Sequence, residues 1–325
     1  MTGSGRSLWI ADWSDSEHDD FCWAWSRAGL DVDVVRSRAL GVTVGRWSHR
    51  LRSLPAYARL AAQGRWQQHR RPLVAWQPLA GALAALGPGR HGPIILLNPI
   101  LRAGAASRRQ TLVVRGCRRA AATIFFSRRG VDDAVALGLD RSRLRFVPLG
   151  VRARRDAVDP VGDYLVAAGR EDRDWHTLAQ ACRGLGRRVI VVGPPPAADL
   201  APLELRPPMP RSQLLELIAR SGGVIVPLRG GRTAGQLAVL DAMSVGRAVV
   251  ATAAAGTEDY VSPSTGWLVP PGEPDALRQA IVAMSDPSAA EPRGRAALAA
   301  VNGELSLVAF VRAVASVESA LGRSG

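Results

Sequence analysis

The sequence contains no lysine, few aromatic residues and only three cysteines. All 42 basic residues are arginines, and aromatic residues make up 5% of the chain. Cys22, Cys117 and Cys182 are widely spaced, odd in number and show no metal-binding spacing. This pattern argues against a disulfide-stabilised scaffold or a zinc site, and it fits a reducing compartment.

Long hydrophobic runs are also missing. No apolar run reaches the roughly 18 residues that a membrane span needs. The N-terminus lacks a basic-then-apolar signal pattern, because Leu8, Trp9 and Ile10 are soon followed by Asp12 and Asp15. We therefore expect a cytoplasmic protein without a spanning helix. At 325 residues, two domains are favoured over one.

Acidic residues are absent from the whole stretch between Asp33 and Asp132, which contains 18 arginines. Residues 1–150 carry 23 arginines against 10 acidic residues, a charge of +13, whereas residues 151–325 carry 19 against 18, a charge of +1. This imbalance predicts an anionic partner for the first half: a membrane surface, a phosphorylated acceptor or nucleic acid.

Residues 45–71 combine arginines and aromatic residues with a loose apolar face. The combination is typical of an amphipathic helix on anionic lipid. An ordinary surface helix on a sheet, with solvated arginines, remains the alternative. The apolar face consists of Leu51, Leu54, Ala58 and Ala61; the polar and aromatic residues are Arg46, Trp47, Arg50, Arg52, Tyr57, Arg59, Arg65 and Trp66.

Short β-branched runs alternate with helical patterns along the first half, which predicts a doubly wound α/β sheet. No G-x-G-x-x-G follows the first strand, so nothing indicates NAD or FAD. The predicted strands are Ser7–Trp13, Val32–Val35, Leu73–Trp76, Ile94–Leu97 and Thr123–Phe126; the predicted helices are 17–27, 79–86 and 108–119.

A second βαβ unit lies between Val224 and Thr252. A buried strand, Val224–Val226, leads through a Gly/Arg-rich loop to a predicted helix from Ala234 to Val245. A helix N-terminus after such a loop presents backbone N–H groups to an anion. Asp241 lies two turns after Ala234, where its carboxylate could accept from a ribose diol behind a bound phosphate. The alternative is a solvated Asp on a sheet-covering helix.

Three segments carry a resemblance to a known family: TAGQLAVLDAMSVGRAVVAT, TEDYV and TGWLVPPGEPDAL. They resemble the nucleotide-sugar-binding half of family-4 retaining glycosyltransferases of the GT-B fold, also called glycosyl transferases group 1. The family's second glutamate falls on Asp241, its first on Thr233, and its turn glutamate on Asp259. Asp keeps the acceptor for a diol, whereas Thr233 lacks the charge.

The resemblance implies two Rossmann-like doubly wound domains facing a cleft. It places an N-terminal acceptor-side domain at 1–151, a nucleotide-sugar domain at 162–303, and a C-terminal helix at 304–325 that crosses back. Arg170 and Arg173 follow a predicted strand and are expected to neutralise the departing diphosphate as catalytic residues; surface ion pairs are the alternative. The expected donor-binding residues are Thr233, Ala234, Gly235, Gln236, Leu237 and Asp241.

The activity that the resemblance implies is transfer of a sugar from a nucleotide-diphosphate sugar, with retention and without a metal or cofactor. An anionic or lipid-linked acceptor and peripheral contact with the inner membrane face are the partners considered. Two alternatives stay open. Thr233 in place of Glu suggests a catalytically weak homologue that binds a nucleotide sugar or a partner. The arginine-rich first half suggests nucleic-acid binding, but it lacks a recognisable nucleic-acid-binding signature, so no nucleic acid is expected.

Overall fold

A computed structural model describes residues 7–11, 13–36, 54–68, 71–88, 91–102, 107–154, 162–193, 200–231 and 233–322. The chain divides into two compact units. Unit 1 comprises residues 1–147 and 310–325, and unit 2 comprises residues 148–309. The boundary that the sequence suggests, at 151, lies a few residues from this division, and the returning segment expected from 304 begins at Phe310.

Unit 1 is built on a six-stranded parallel sheet. The strand order is β2-β1-β3-β4-β5-β6, so the chain adds β2 on one side of β1 and then continues from β3 on the other side. Residues of β1 have in-register neighbours in both β2 and β3; for example, Trp9 pairs with Val34 and Val74. The strands are β1 (Ser7–Ala11), β2 (Val32–Arg36), β3 (Leu73–Ala75), β4 (Ile94–Leu97), β5 (Ala122–Phe125) and β6 (Leu144–Phe146).

Helices cover both faces of this sheet. One face packs the apolar residues of four helices against β1, β3 and β4 in a continuous core that includes Leu60, Leu73 and Leu96. The helices are α1 (Asp15–Ala28), α2 (Leu54–Gln68), α3 (Pro78–Leu86), α4 (Arg108–Arg119) and α5 (Arg128–Ala136). The predictions for β4 and α4 agree with the structure residue for residue.

Where the structure describes side chains of the apolar face predicted for residues 45–71, the prediction is right for Ala61 and wrong for Ala58. Helix α2 buries Tyr57, Leu60 and Ala61 against the sheet, whereas Ala58 is exposed. The buried face is therefore rotated by one position, because the large side chains of Tyr57 and Leu60 have more apolar area to bury than Ala58. Arg46, Trp47, Arg50, Leu51 and Arg52 lie outside the described residues.

The other face of unit 1 contains a cluster of seven aromatic rings in mutual contact. Trp13 stacks on Phe21 with a centroid distance of 4.1 Å and meets Trp76 edge-on at 5.3 Å. Phe310, the first residue of unit 1 after the return of the chain, contacts Phe126 at 5.5 Å. Trp9 and Trp25 complete the cluster. Three members of the cluster, Trp13, Trp76 and Phe126, follow the carboxyl ends of β1, β3 and β5 in the chain.

Unit 2 is built on a second six-stranded parallel sheet, in the order β12-β11-β10-β7-β8-β9. The chain adds β8 and β9 on one side of β7 and then returns to add β10, β11 and β12 on the other. The strands are β7 (Tyr164–Ala168), β8 (Arg188–Val192), β9 (Glu204–Arg206), β10 (Val224–Val226), β11 (Val249–Thr252) and β12 (Gly266–Val269).

Six helices connect or follow these strands. They are α6 (Trp175–Cys182), α7 (Arg211–Ala219), α8 (Gln236–Ser244), α9 (Pro274–Met284), α10 (Pro287–Asn302) and α11 (Leu307–Gly322). Helix α11 begins in unit 2 and belongs to unit 1 from Phe310 onward. Two doubly wound α/β units are thus confirmed, while their facing each other across a cleft stays a prediction.

Candidate functional site

The order of strands in unit 2 reverses between β7 and β10. In open parallel sheets, ligands bind outside the carboxyl ends of the two strands at such a switch point. Two loops leave the sheet there, residues 169–174 after β7 and residues 227–235 after β10. Backbone hydrogen bonds hold these loops together: Arg229 N–H donates to Asp172 O at 2.9 Å, and Asp174 N–H donates to Pro227 O at 3.0 Å.

Arg173 is deeply buried for a predicted charged site residue, at 7% exposure. Its guanidinium turns back onto its own loop, where Nε donates to Ala168 O at 2.9 Å and one terminal nitrogen donates to Glu171 O at 2.8 Å. Burial lowers the pKa of Arg173 to about 10, so the side chain stays charged at neutral pH. Among the described residues, no carboxylate forms an ion pair with it.

The glycine that starts this loop makes room for the guanidinium. Gly169 has φ = 120°, and a Cβ at this position would lie 2.2 Å from a terminal nitrogen of Arg173. Asp172 also adopts a left-handed conformation, with φ = 57°. Such conformations persist where the surrounding structure imposes them. The loop is therefore shaped around a buried cation that forms no ion pair with any described residue.

Helix α8 begins at Gln236, two residues later than predicted. Gly235, at the N-cap, has a left-handed conformation with φ = 95°, so the helix cannot extend further toward the N-terminus. The apolar periodicity of the sequence does not show this conformation. No side chain caps this terminus, and its first turn contains no acidic residue. The side-chain amide nitrogen of Gln236 is buried and has no hydrogen-bond partner within the described residues. The start of α8 thus presents unpaired N–H donors.

Leu228 connects the buried arginine to the start of α8. Its backbone pairs with Arg173 in an isolated antiparallel bridge. Its side chain lies 3.1 Å from the point where Gly235 would carry a Cβ. From the other side, Gly256 packs so closely on Ala234 that a Cβ there would lie 1.8 Å from Ala234 O. Leu228 and Gly256 thus both pack against the segment that leads into α8. Because Leu228 also pairs with Arg173, this arginine and the N-terminus of α8 belong to one site.

The remaining predicted residues line the same loops. Arg170 is exposed at the carboxyl end of β7, and Thr233 is half-buried just before the buried Ala234. Leu237, in the first turn of α8, is 51% exposed, which is unusual for a large apolar side chain beside a sheet. Its position suits contact with a ligand or solvent rather than with the core.

Asp241 shares a face with the first turn of α8, at one turn from the start of the helix instead of the two turns that the sequence predicted. Because α8 begins at Gln236 and not at Ala234, Asp241 lies one turn beyond Leu237 and Ala238. It is buried, and Arg211, the first residue of α7, donates to its Oδ1 atom. The alternative of a solvated Asp is wrong.

Arg211 is a residue of this region that the sequence did not predict. Two signals could have pointed to it: a proline run precedes it, and an arginine in the first turn of a helix is unfavourable for the helix dipole. Its partner lies 30 residues away in sequence, and the pairing depends on how α7 packs on α8.

The described part of the chain contains neither a cluster of metal ligands nor a helix suited to a membrane. No group of three or more His, Cys, Asp or Glu side chains is placed to hold a metal ion. None of the helices there combines the length and the hydrophobicity that crossing a bilayer requires.

Comparison with known proteins gives a family match for unit 2. Residues 151–286 match the model of the family described as glycosyl transferases group 1. No match was found among curated proteins. The resemblance seen in the sequence is confirmed by this family match.

Solved structures of similar fold span nearly the whole chain. Sucrose-phosphate synthase from Thermosynechococcus elongatus superimposes with a TM-score of 0.75 at 16% identity, covering 98% of this chain and 100% of that one. HepE from Anabaena, in complex with UDP, gives 0.69 at 14%, covering 97% and 100%. A glycosyltransferase from Rickettsia africae gives 0.71 at 13%, covering 99% and 100%.

These likenesses establish the fold of the chain as that of GT-B glycosyltransferases. The family match makes residues 151–286 similar to glycosyl transferases group 1. The switch point between β7 and β10 lies inside the matched region.

Proposed function

We propose that this protein transfers a glycosyl unit from a nucleotide-diphosphate sugar to an acceptor hydroxyl, with retention of the anomeric configuration and without a metal ion. The observation that carries the proposal is the pairing of an uncapped helix N-terminus with a buried arginine that forms no ion pair within the described residues. Both features favour an anion, and both lie at the switch point of unit 2.

The diphosphate of the donor is proposed to bind at the start of α8. The backbone N–H groups of the first turn and the Gln236 amide would donate to phosphate oxygens. Arg173 would supply a fixed positive charge whose geometry is set before the donor arrives, and Arg170 would add a second charge from the rim. As the bond between sugar and phosphate breaks, negative charge grows on the leaving diphosphate, and preorganised donors stabilise that charge.

Thr233 is proposed to contact the donor sugar. In the resembled family a glutamate occupies this position, and a hydroxyl cannot provide its negative charge. A neutral contact should therefore suit a different set of donor sugars. Replacing Thr233 with Glu should shift or abolish donor use, whereas an unchanged donor profile in both Thr233→Ala and Thr233→Glu would remove this role.

Retention and metal independence rest on the resemblance and on the charges at the site. In the proposed reaction the acceptor hydroxyl attacks from the face of the sugar that the diphosphate leaves. Its proton passes to the leaving phosphate oxygen, so the bond to the acceptor forms as the bond to phosphate breaks. The two arginines would perform the charge stabilisation that a divalent cation provides elsewhere.

Unit 1 is proposed to receive an anionic or lipid-linked acceptor at the cytoplasmic face of the inner membrane. Residues 1–150 carry +13 of the net charge. On α2, Arg59 is exposed and Trp66 is 72% exposed, whereas Arg65 is bound to Ala84 O and Pro88 O at the end of α3. Each basic residue near an anionic surface contributes about 1 kcal/mol, so a few suffice for reversible binding.

A donor screen tests the proposed activity. Purified protein is mixed with UDP-, GDP-, ADP- and dTDP-sugars and simple acceptors, and release of the nucleoside diphosphate is followed. We expect release with one nucleotide class and its loss in Arg170→Ala. Arg220→Ala, an exposed arginine at the other end of α7 paired with Glu216, is the matched control and should behave as wild type.

The same screen separates the second candidate, a homologue that binds nucleotide sugar without turnover, which Thr233 in place of Glu favours. Protection against thermal unfolding by UDP or GDP with no release of diphosphate would support it. Co-sedimentation with vesicles of varied anionic lipid content tests the membrane contact, and binding that ignores lipid charge would remove it. Salt-sensitive binding to random DNA, without any nucleotide effect, would contradict both readings.

A further inference from the structure

The chain enters unit 2 and leaves it through two segments that are paired with each other. The entry segment is residues 148–154 and the exit segment is residues 303–309, at the two ends of unit 2. An isolated parallel bridge joins them. Val151 N–H donates to Leu305 O at 3.0 Å, and Leu307 N–H donates to Val151 O at 2.9 Å. A change that loosens or tightens one segment therefore affects the other.

Two further hydrogen bonds hold the entry segment within unit 2. Leu149 N–H donates to the hydroxyl oxygen of Tyr260 at 2.9 Å, and this tyrosine is 4% exposed. Arg154 N–H donates at 2.8 Å to the carbonyl oxygen of Ser244, the last residue of α8. The entry segment is thus bound to α8 through the backbone and to Tyr260 through a side chain.

Tyr260 belongs to a turn, residues 254–261, that packs against the start of α8. Tyr260 N–H donates to Thr257 O at 3.0 Å, and Thr257 Oγ1 donates at 2.6 Å to the carbonyl oxygen of Thr252, at the end of β11. The methyl group of Thr257 lies 3.0 Å from the point where Gly235 would carry a Cβ. The turn is therefore fixed between the N-terminus of α8 and the Tyr260 hydroxyl.

The same turn is connected to the buried arginine of the proposed diphosphate site. The hydroxyl of Thr252 accepts from Leu228 N–H at 2.9 Å. Leu228 in turn pairs with Arg173. Packed side chains and hydrogen bonds of this kind can carry energetic coupling between two sites. A diphosphate that fixes Arg173 and the start of α8 would therefore also restrain the turn that contains Tyr260.

We infer that Tyr260 is a positioning residue that couples occupancy of the diphosphate site to the entry and exit segments. A bound nucleoside diphosphate orders the start of α8, and the turn packed against it becomes more rigid. The Tyr260 hydroxyl passes this restraint to Leu149 and so to the paired segments. The coupling is reciprocal, so the state of these segments also affects donor affinity. The inference rests on the proposed function, since it assumes a diphosphate at α8.

Hydrogen exchange of the Val151 and Leu307 amides, measured by NMR on the full-length protein, tests this inference. These amides donate within the bridge and not to Tyr260. In the wild type, saturating UDP or GDP should slow their exchange about 5- to 150-fold, the usual range for coupling between two sites. Tyr260→Phe keeps the ring and removes the hydroxyl. In this variant the same nucleotide, again at saturation, should leave both exchange rates unchanged.

Tyr164→Phe is the matched control. The Tyr164 hydroxyl donates to Leu217 O at 2.9 Å, so this variant also loses one hydrogen bond between a tyrosine and the backbone of unit 2. The nucleotide should slow exchange in it as in the wild type. If Tyr260 only stabilises the fold, Tyr260→Phe speeds exchange by the same factor with and without nucleotide. The slowing by nucleotide then survives, and the inference is overturned.

The wild type alone keeps the inference testable if Tyr260→Phe does not fold, and it separates the two proposals. If neither UDP nor GDP binds to the wild-type protein, the proposed function is wrong. If one of them binds and the exchange of Val151 and Leu307 does not slow, only the coupling through Tyr260 is wrong.

Discussion

The two sheets have the same topology at their switch points but opposite chemistry there. In unit 1 the carboxyl ends of β1 and β3 lead into Trp13 and Trp76, whose rings are part of the aromatic cluster. The helix after β3 begins with Pro78, which has no N–H to offer. In unit 2 the corresponding helix after β10 begins behind Gly235, with unpaired donors and a buried cation beside it.

This contrast shows that the switch point of a doubly wound sheet can either be filled by side chains or present polar groups to a ligand. Aromatic rings remove the carboxyl edge of β1 from water and stabilise unit 1 by burying apolar area. Glycines at the carboxyl edge of β7 and β10 bury little and leave polar groups unsatisfied, which is a cost that a bound anion would offset. We therefore expect stability to depend on the switch point of unit 1 and ligand binding to depend on that of unit 2.

Removing an aromatic ring at the switch point of unit 1 should have the largest effect on stability. Trp13 is 2% exposed and stacked on Phe21. Trp13→Ala should lower the free energy of unfolding by about 3–5 kcal/mol, the usual range for a buried tryptophan, and leave nucleotide affinity unchanged in the folded protein. Denaturant titration measures the first and calorimetry the second. Trp66→Ala, at an exposed tryptophan, is the control, and equal stability of the two variants would contradict the role of the cluster.

Removing an arginine from the anion-binding switch point of unit 2 should have the reverse effect, a large loss of turnover with a smaller loss of stability. Arg170→Ala and Arg173→Ala should each lower turnover about 10²-fold or more, as expected for loss of a preorganised charge. Arg170 is exposed, so its removal should hardly affect stability. Arg173→Ala also loses its hydrogen bonds to the carbonyl oxygens of Ala168 and Glu171 and should be less stable by roughly 1–3 kcal/mol. Wild-type turnover in the double variant would remove this role.

The pH dependence of stability sharpens the contrast between two buried ionisable groups. Burial lowers the pKa of Arg173 to about 10, so it stays charged at neutral pH. In unit 1, burial raises the pKa of Glu318 from 4.5 to about 7, against a smaller opposing effect of a hydrogen bond with Ser7. Glu318 is therefore expected to be neutral in the folded protein at mildly acidic pH.

The folded state binds the Glu318 proton more tightly than the unfolded state does. The free energy of unfolding should therefore fall as the pH rises from about 4.5 to about 7, by up to about 3 kcal/mol from this group, and then level off. Glu318→Gln should remove this fall and be the more stable protein at pH 8. Denaturant titrations at pH 5 and pH 8 measure it, and parallel pH profiles of the two proteins would refute it.

Adding a negative charge at the uncapped N-terminus of α8 should have the smallest effect. Gln236→Glu adds a carboxylate to the first turn of α8, which should stabilise the helix by about 0.3–1 kcal/mol and lower affinity for a nucleoside diphosphate roughly 10-fold. Gln180→Glu places the same charge at an exposed position of α6 and serves as the control. Unchanged affinity in Gln236→Glu would mean that the diphosphate binds elsewhere.

The sequence predicted the elements of regular periodicity well and the irregular site less well. Residues 94–97 form the expected strand because they are a short continuous apolar run, and residues 108–119 form the expected helix. The start of α8 was missed because Gly235 breaks the helix by backbone conformation, which leaves no mark on hydrophobicity.

Contacts between distant residues were also beyond the sequence. Asp241 pairs with Arg211 only because α7 packs beside α8, and Arg173 turns back only because Gly169 leaves space for its guanidinium. Both depend on tertiary packing. The family motif located the right residues, but only the fold shows which groups each of them contacts.

Titration calorimetry with UDP, GDP, uridine and guanosine tests most directly whether the switch point of β7 and β10 binds a diphosphate. We predict that at least one diphosphate binds the wild type 100-fold or more tightly than its nucleoside, since loss of each preorganised charge contact is worth about 10²-fold. We also predict that Arg170→Ala/Arg173→Ala loses most of this gain while Arg220→Ala keeps it. Equal affinity for nucleoside and diphosphate, or a gain that survives in the double variant, would contradict the site.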